Sequence, residues 1–147
     1  YSLAVSTSGA HPIFAGTNAS GIWKSTDVGG SWHPSSSGLP SASVTALAAG
    51  PAPASFVYAG LSDGSFWRST DSGVSWHPAG PSPDSSRFDS LAVDPNHGNV
   101  LFAGTEQGLY RSIDGGASHL LFLGDFRHLP SLLVRLSPPT ARLIRPW

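Results

Sequence analysis

The carboxylates fall into two kinds, and only one kind suggests chemistry. Asp27, Asp71 and Asp114 each occupy the same place in three copies of one short motif, whereas Asp63, Asp84, Asp89 and Glu106 stand where those copies differ. Residues repeated in every unit build the unit, so chemistry is to be sought among the second set. Two carboxylates roughly 5 to 10 Å apart can cleave a glycosidic bond, one as acid and one as nucleophile or base. Asp63 with Asp84 or Asp89 offers such a pair. Each also has a plainer role: Asp63-Gly64 is a common turn pair, and Asp84 lies in a Pro-Ser-Pro-Asp-Ser-Ser loop of residues that favour turns. No motif assigns acid and base roles to any of them, so none is a firm catalytic candidate, and the plainer reading is preferred.

The motif itself reads Ser25-Thr26-Asp27-Val28-Gly29-Gly30-Ser31-Trp32, then Ser69-Thr70-Asp71-Ser72-Gly73-Val74-Ser75-Trp76, then Ser112-Ile113-Asp114-Gly115-Gly116-Ala117-Ser118, with His119 in place of the third Trp. Leu3, Leu47 and Leu91 set a 44-residue period that Phe14, Tyr58 and Phe102 repeat. The second unit predicts strands around Leu47-Ala48, from Phe56 to Gly60, from Ser65 to Ser69 and from Val74 to His77, rich in aromatic and β-branched residues and separated by Gly and Asp turns. No window before the tail has sustained helical spacing of apolar residues. Four short strands in about 44 residues make one propeller blade. The expected fold is all-β: a partial β-propeller of about three four-stranded antiparallel blades (1–46, 47–90 and an incomplete 91–123), followed by an irregular tail, 124–147.

The pattern Ser-x-Asp-x-Gly-x-Ser-Trp resembles the Asp-box, or bacterial neuraminidase repeat, of sialidases, xyloglucanase-type glycosidases, sortilin-type receptors and photosystem assembly factors. The resemblance covers residues 1–118 and implies a β-propeller and an exported protein. It specifies a fold better than a function, because the box recurs in enzymes, receptors and assembly factors alike. Sialidases hold a substrate carboxylate with three arginines. Their Phe/Tyr-Arg-Ile-Pro motif has only an echo in Phe126-Arg127-His128-Leu129-Pro130, beyond the last box.

Within each box the Asp carboxylate is expected to accept backbone N–H groups two or three residues on, closing a turn that Gly29, Gly73 and Gly116 permit through positive φ. Ser25, Ser69 and Ser112 open the boxes, and Trp32 and Trp76 are expected to bury their rings beneath them. Lys24, Arg68 and Arg111 share a position beside Trp23, Trp67 and Tyr110, which suits basic stems packed on neighbours. In antiparallel blades the boxes share one end with the first-to-second turns. The opposite end then carries Asn18, Asp63 and Glu106 and the connections 34–43 and 78–89, and recognition is expected there.

Composition narrows the function classes. The chain has 147 residues, 39% of them hydrophobic and 12% charged, with a net charge of −1, so no basic footprint marks a nucleic-acid partner. No run nears the roughly 18 apolar residues of a membrane span. Cysteine is absent, which removes disulfides and thiolate chemistry. No His cluster has metal-ligand spacing, and neither metal nor cofactor is expected.

The chain also lacks Met, and three blades fall short of the four to eight of typical closed propellers. A fragment is therefore expected, whose sticky open edges are covered by further blades of a parent chain or by self-association. After residue 118 the repeat fails. Four of the eight basic residues (Arg127, Arg135, Arg142 and Arg145) and prolines 130, 138, 139 and 146 fall beyond it. The segment is either a cap for the open edge or an out-of-frame translation; loss of the box Trp where composition changes favours the second.

The preferred functional reading is a non-catalytic binding or scaffold module of a larger protein, with a carbohydrate or protein ligand. The alternatives are part of a sialidase-like or xyloglucanase-like glycoside hydrolase, and a protein-binding assembly factor.

Overall fold

A computed structural model describes residues 1–118 except 8, 10, 41, 42, 54, 83 and 84, together with the backbone of 121–122. No helix occurs among the described residues; the strands form three four-stranded antiparallel sheets, each in chain order. The first contains β1 (Ser2–Val5), β2 (Ile13–Gly16), β3 (Ile22–Ser25) and β4 (His33–Pro34). In the second are β5 (Val44–Ala49), β6 (Val57–Leu61), β7 (Phe66–Ser69) and β8 (His77–Gly80). The third holds β9 (Phe88–Val93), β10 (Leu101–Thr105), β11 (Gly108–Ser112) and β12 (Leu121–Phe122). Pairing repeats with the sequence: Leu3 faces Ala15, Leu47 faces Ala59 and Leu91 faces Ala103. The chain is thus all-β, an open partial β-propeller.

The first three strands of the second blade lie where its apolar runs place them, but the fourth does not. Val74 to His77 was expected, and β8 begins only at His77. The Asp71 carboxylate holds the Ser75 amide in the turn. Trp76 is then committed to the neighbouring blade: its amide donates to the Ser37 carbonyl and its indole N–H to that of Ser35, at 2.9 and 2.7 Å.

The blade faces that meet a neighbour are apolar, and the second blade meets one on each side. Between the first two blades, Ala4, Phe14 and Ile22 pack against Val44, Leu47, Val57, Ala59, Leu61 and Trp76. The second seam joins Ala46, Tyr58 and Phe66 to Phe88, Leu101, Ala103 and Tyr110, with the Phe66 ring stacked between those of Tyr58 and Phe88. Strand β6 is buried along its whole length, since its blade lies between the other two. Gly16 and Gly60 let the next blade's inner strand approach: a Cβ at Gly16 would lie 2.6 Å from a Val44 methyl, and one at Gly60 would strike the Phe88 side chain.

The seams have polar clips as well. Lys24 lies over the Phe14 ring and donates to the Ser72 carbonyl of the next box at 2.7 Å. Arg68 lies over the Phe56 ring and beside Gly115 of the third box. Lys24 thus fastens the first blade to the second, and the Arg68 guanidinium lies against the third. The tail, 124–147, lies outside the described residues.

Candidate functional site

The box aspartates are engaged by their own turns. Ser25 Oγ donates to Asp27 Oδ1 (2.7 Å) and accepts the Gly29 amide (2.8 Å), while Asp27 accepts the Ser31 amide (2.8 Å) and hydroxyl (2.6 Å). Ser69, Asp71, Gly73 and Ser75 repeat the pattern, as do Ser112, Asp114, Gly116 and Ser118. In each box the carboxylate reaches four residues on, beyond the two or three expected, and in the second box it also draws on the Val74 amide three residues on. Two consecutive residues in each turn have positive φ (Val28 and Gly29, Ser72 and Gly73, Gly115 and Gly116), which makes the loop longer than a simple Asx turn. The buried hub is the Ser hydroxyl, legible in the motif but not in this role: Ser25, Ser69 and Ser112 are almost wholly inaccessible.

This environment removes the box aspartates from acid–base chemistry near neutrality. The hydroxyl and amide of Ser118 and the hydroxyl of Ser112 hold Asp114 at about 2. Burial pushes Asp71 up, but the Ser75 and Ser69 donors outweigh it and leave it at about 2. Asp27 is lowered further by the Ser31 hydroxyl and amide and the Ser25 hydroxyl. A carboxylate that accepts several donors stays ionised.

The two box tryptophans differ, contrary to the expectation that both are buried beneath their own turns. Trp76 is 1% exposed because it enters the seam with the first blade. Trp32, at the same repeat position, is half-buried, since its side of the first blade meets no other sheet among the described residues. A cleft of about 550 Å³ at the box end, lined in part by Pro12, Lys24, Pro53 and Ser72, offers little for chemistry. Its one ammonium already serves the Ser72 carbonyl.

At the opposite end the inter-blade connection packs on the second-to-third turns. Ser43 donates its hydroxyl to the Asn18 carbonyl, and the Ser62 amide donates to the Ser43 carbonyl. Here lies a polar cleft of about 270 Å³ lined by Tyr1, Asn18, Val44, Thr45, Arg87, Phe88 and Asp89. Phe88 is anchored in the second seam, which places Arg87 and Asp89 on either side of a fixed residue. Arg87 Nε and Nη2 both donate to Asp89 Oδ1, at 3.0 and 2.7 Å. The Asp89 hydrogen bond and charge raise the guanidinium pKa, with a smaller contribution from Glu106.

Of the four varying carboxylates, the structure thus brings Asp89 to Arg87, and Glu106 acts on the same guanidinium only through a weaker charge effect. Asp63 closes its own turn, accepting the Ser65 hydroxyl and amide, and those donors lower its pKa. Asp84 lies outside the described residues. Asn18 was placed at this end by topology, but Thr45 was not, because a strand residue that opens onto a cleft has no sequence signal of its own. Among the described residues no group of three His, Asp or Glu side chains is arranged to hold a metal.

No family model matches the sequence, and no curated protein matches it. Solved structures do resemble it. A GH74 enzyme from Niastella koreensis aligns with 84% of this chain at a TM-score of 0.64 and 20% identity, and the GH74 xyloglucanase from Xanthomonas campestris with 76% at 0.57 and 27%. YCF48 bound to D1 peptide aligns with 82% at 0.65 and 17%. The chain covers 22%, 18% and 40% of those proteins respectively, so it spans about a fifth of the GH74 chains. All three are β-propeller proteins, the class in which the sheets and seams place this chain.

Proposed function

We propose that the chain is a non-catalytic propeller module of a larger protein that binds a polypeptide ligand at the end opposite the Asp-boxes. The observation that carries this reading is the Arg87–Asp89 pair in the polar cleft with Asn18 and Thr45. A fork of guanidinium donors, a carboxylate acceptor and neighbouring polar groups suit a peptide main chain and its polar side chains. The likeness to YCF48, a propeller whose structure holds a peptide, supports the ligand class. Asp63 is bound in its own turn and Asp89 to arginine, which counts against Asp63 and Asp89 as an acid–base pair.

The test is a peptide array probed with the whole chain, repeated with Arg87→Ala and Asp89→Ala. Arg87 and Asp89 side chains are 53% and 39% exposed, so their loss costs at most about 1 kcal/mol of stability, and lost binding reports on the cleft. Peptide binding unchanged in the double variant would overturn the assignment. One observation favours a second reading, part of a glycoside hydrolase: Asp89 and Glu106 both act on Arg87, in a fold shared with GH74 enzymes. Xyloglucan turnover by the chain, lost in Asp89→Asn and in Glu106→Gln, would replace the binding reading with that one.

A further inference from the structure

Tyr1, Thr45 and Asp89 stand 44 residues apart, so one position of the repeat supplies three of the residues that line the polar cleft. The register of the inner strands shows why. Ser2 faces Gly16, Ala46 faces Gly60 and Ser90 faces Gly104, an equivalent pairing in each blade. One step earlier the ladder skips. Val44 pairs with Leu61 and Phe88 with Thr105, which leaves Thr45 and Asp89 without a partner across the sheet. A residue bulged out of a ladder has its side chain re-aimed and its strand bent. Both blades therefore bring the same position to the cleft, while the preceding Val44 and Phe88 stay buried in the seams.

The two bulged residues differ in what they can do. Thr45 donates its hydroxyl to the Gly60 carbonyl at 3.1 Å, so its one proton is committed within its own blade. Asp89 has no such proton, and a carboxylate can only accept. Arg87 meets half of that need: its Nε and Nη2 both donate to Oδ1, at 3.0 and 2.7 Å. Asp89 Oδ2 accepts no bond among the described residues, and the side chain is 39% exposed. The carboxylate is thus held by one oxygen and has the other free at the cleft.

Charge and volume define what fits. Among the described residues, the second-to-third turns and inter-blade connections at this end carry Asp63, Asp89 and Glu106 against the single base Arg87. Three acids against one base favour a cation over an anion. At about 270 Å³ the cleft is smaller than the roughly 300–1,000 Å³ pockets that take drug-sized ligands. That size suits one extended side chain better than a run of sugar rings.

We infer that the ligand places a lysine or arginine side chain in this cleft with its cation on Asp89 Oδ2, an inference that rests on the polypeptide reading of the same site. Arg87 holds the carboxylate through Oδ1. The Thr45 hydroxyl, whose proton goes to Gly60, presents its lone pairs as a second acceptor. Charge-assisted hydrogen bonds are about twice as strong as neutral ones, so Asp89 and not Thr45 sets the preference for a basic residue.

A peptide array probed with the whole chain tests this, each peptide carrying lysine, arginine, norleucine or glutamate at one position in turn. The bound peptides should contain lysine or arginine, and norleucine in its place should weaken binding by about tenfold. Rising salt should weaken the lysine version more than the norleucine version. Asp89→Asn keeps an acceptor for Arg87 and removes the charge at the free oxygen. It should bring the lysine version down to the level of the norleucine version, whose affinity stays unchanged, with a far-UV spectrum like that of wild type. A lysine preference that persists in Asp89→Asn would overturn the inference. So would peptides that need Arg87 and Asp89, by loss of binding in the double alanine variant, yet bind equally with norleucine for lysine; the polypeptide reading would then stand alone. Absence of any bound peptide would overturn both.

Discussion

Replacing Trp76 and Trp32 by alanine, one at a time, tests whether the seams rather than the box turns hold the blades together. The two residues share a motif position, and a local account of the box predicts equal costs. The structure predicts unequal ones. Trp76 is 1% exposed within the first seam, and its indole donates to the buried Ser35 carbonyl at 2.7 Å. Its removal should cost about 3–5 kcal/mol for the lost burial and the cavity, including an unpaired carbonyl worth about 1–3 kcal/mol by itself. Trp32 is half-buried, so its loss should cost no more than about 1.5 kcal/mol. Against a total stability on the order of 5–15 kcal/mol, the first change should bring the chain near unfolding and the second should leave it folded. Urea titration followed by far-UV circular dichroism measures both, at a dilution that keeps copies apart and with the denaturant slope checked for constancy. Trp76→Phe separates the contributions: it retains most of the packing, loses the indole donor, and should cost about 1–2 kcal/mol. Equal costs for the two alanine variants would refute the seam account.

Other variants probe the turns and the close approaches. Asp71 and Asp114 have folded pKa values of about 2, below the roughly 3.9 of an unfolded Asp. Their stabilisation is therefore complete above pH about 4 and lost as the pH falls towards 2; Asp71→Asn should flatten that acid-side slope, read as thermal midpoints from pH 2 to 6. Ser69→Ala leaves the Gly73 amide without its acceptor in a buried turn and should lower stability by about 1–3 kcal/mol in urea. Gly60→Ala drives a methyl into Phe88 and should cost about 1–3 kcal/mol. Gly104→Ala meets within 3 Å only the Ser90 hydroxyl, which can rotate away, and its thermal midpoint at dilution should change little.

The sequence alone determined what is local and repeated. The 44-residue spacing of Leu3, Leu47 and Leu91 carried the sheet order and the number of blades, because a strand's two apolar faces and its bounding turns are written within a few residues. That the box aspartates close turns was legible for the same reason, since the serine and amide donors they accept lie within four residues. Three matters were decided only by tertiary structure. The same Trp is buried in one copy and half-exposed in another because burial depends on whether a neighbouring blade is present, which no motif records. The fourth strand starts at His77, after Trp76 is drawn into a seam by carbonyls about forty residues away. Asp89 joins Arg87 in a polar cleft, although its sequence suggested a carboxylate to be paired with Asp63, because Phe88 is anchored between blades and its two neighbours lie at the end opposite the boxes. Repetition is a local property of the chain, whereas the seams and the cleft depend on which unit lies next to which.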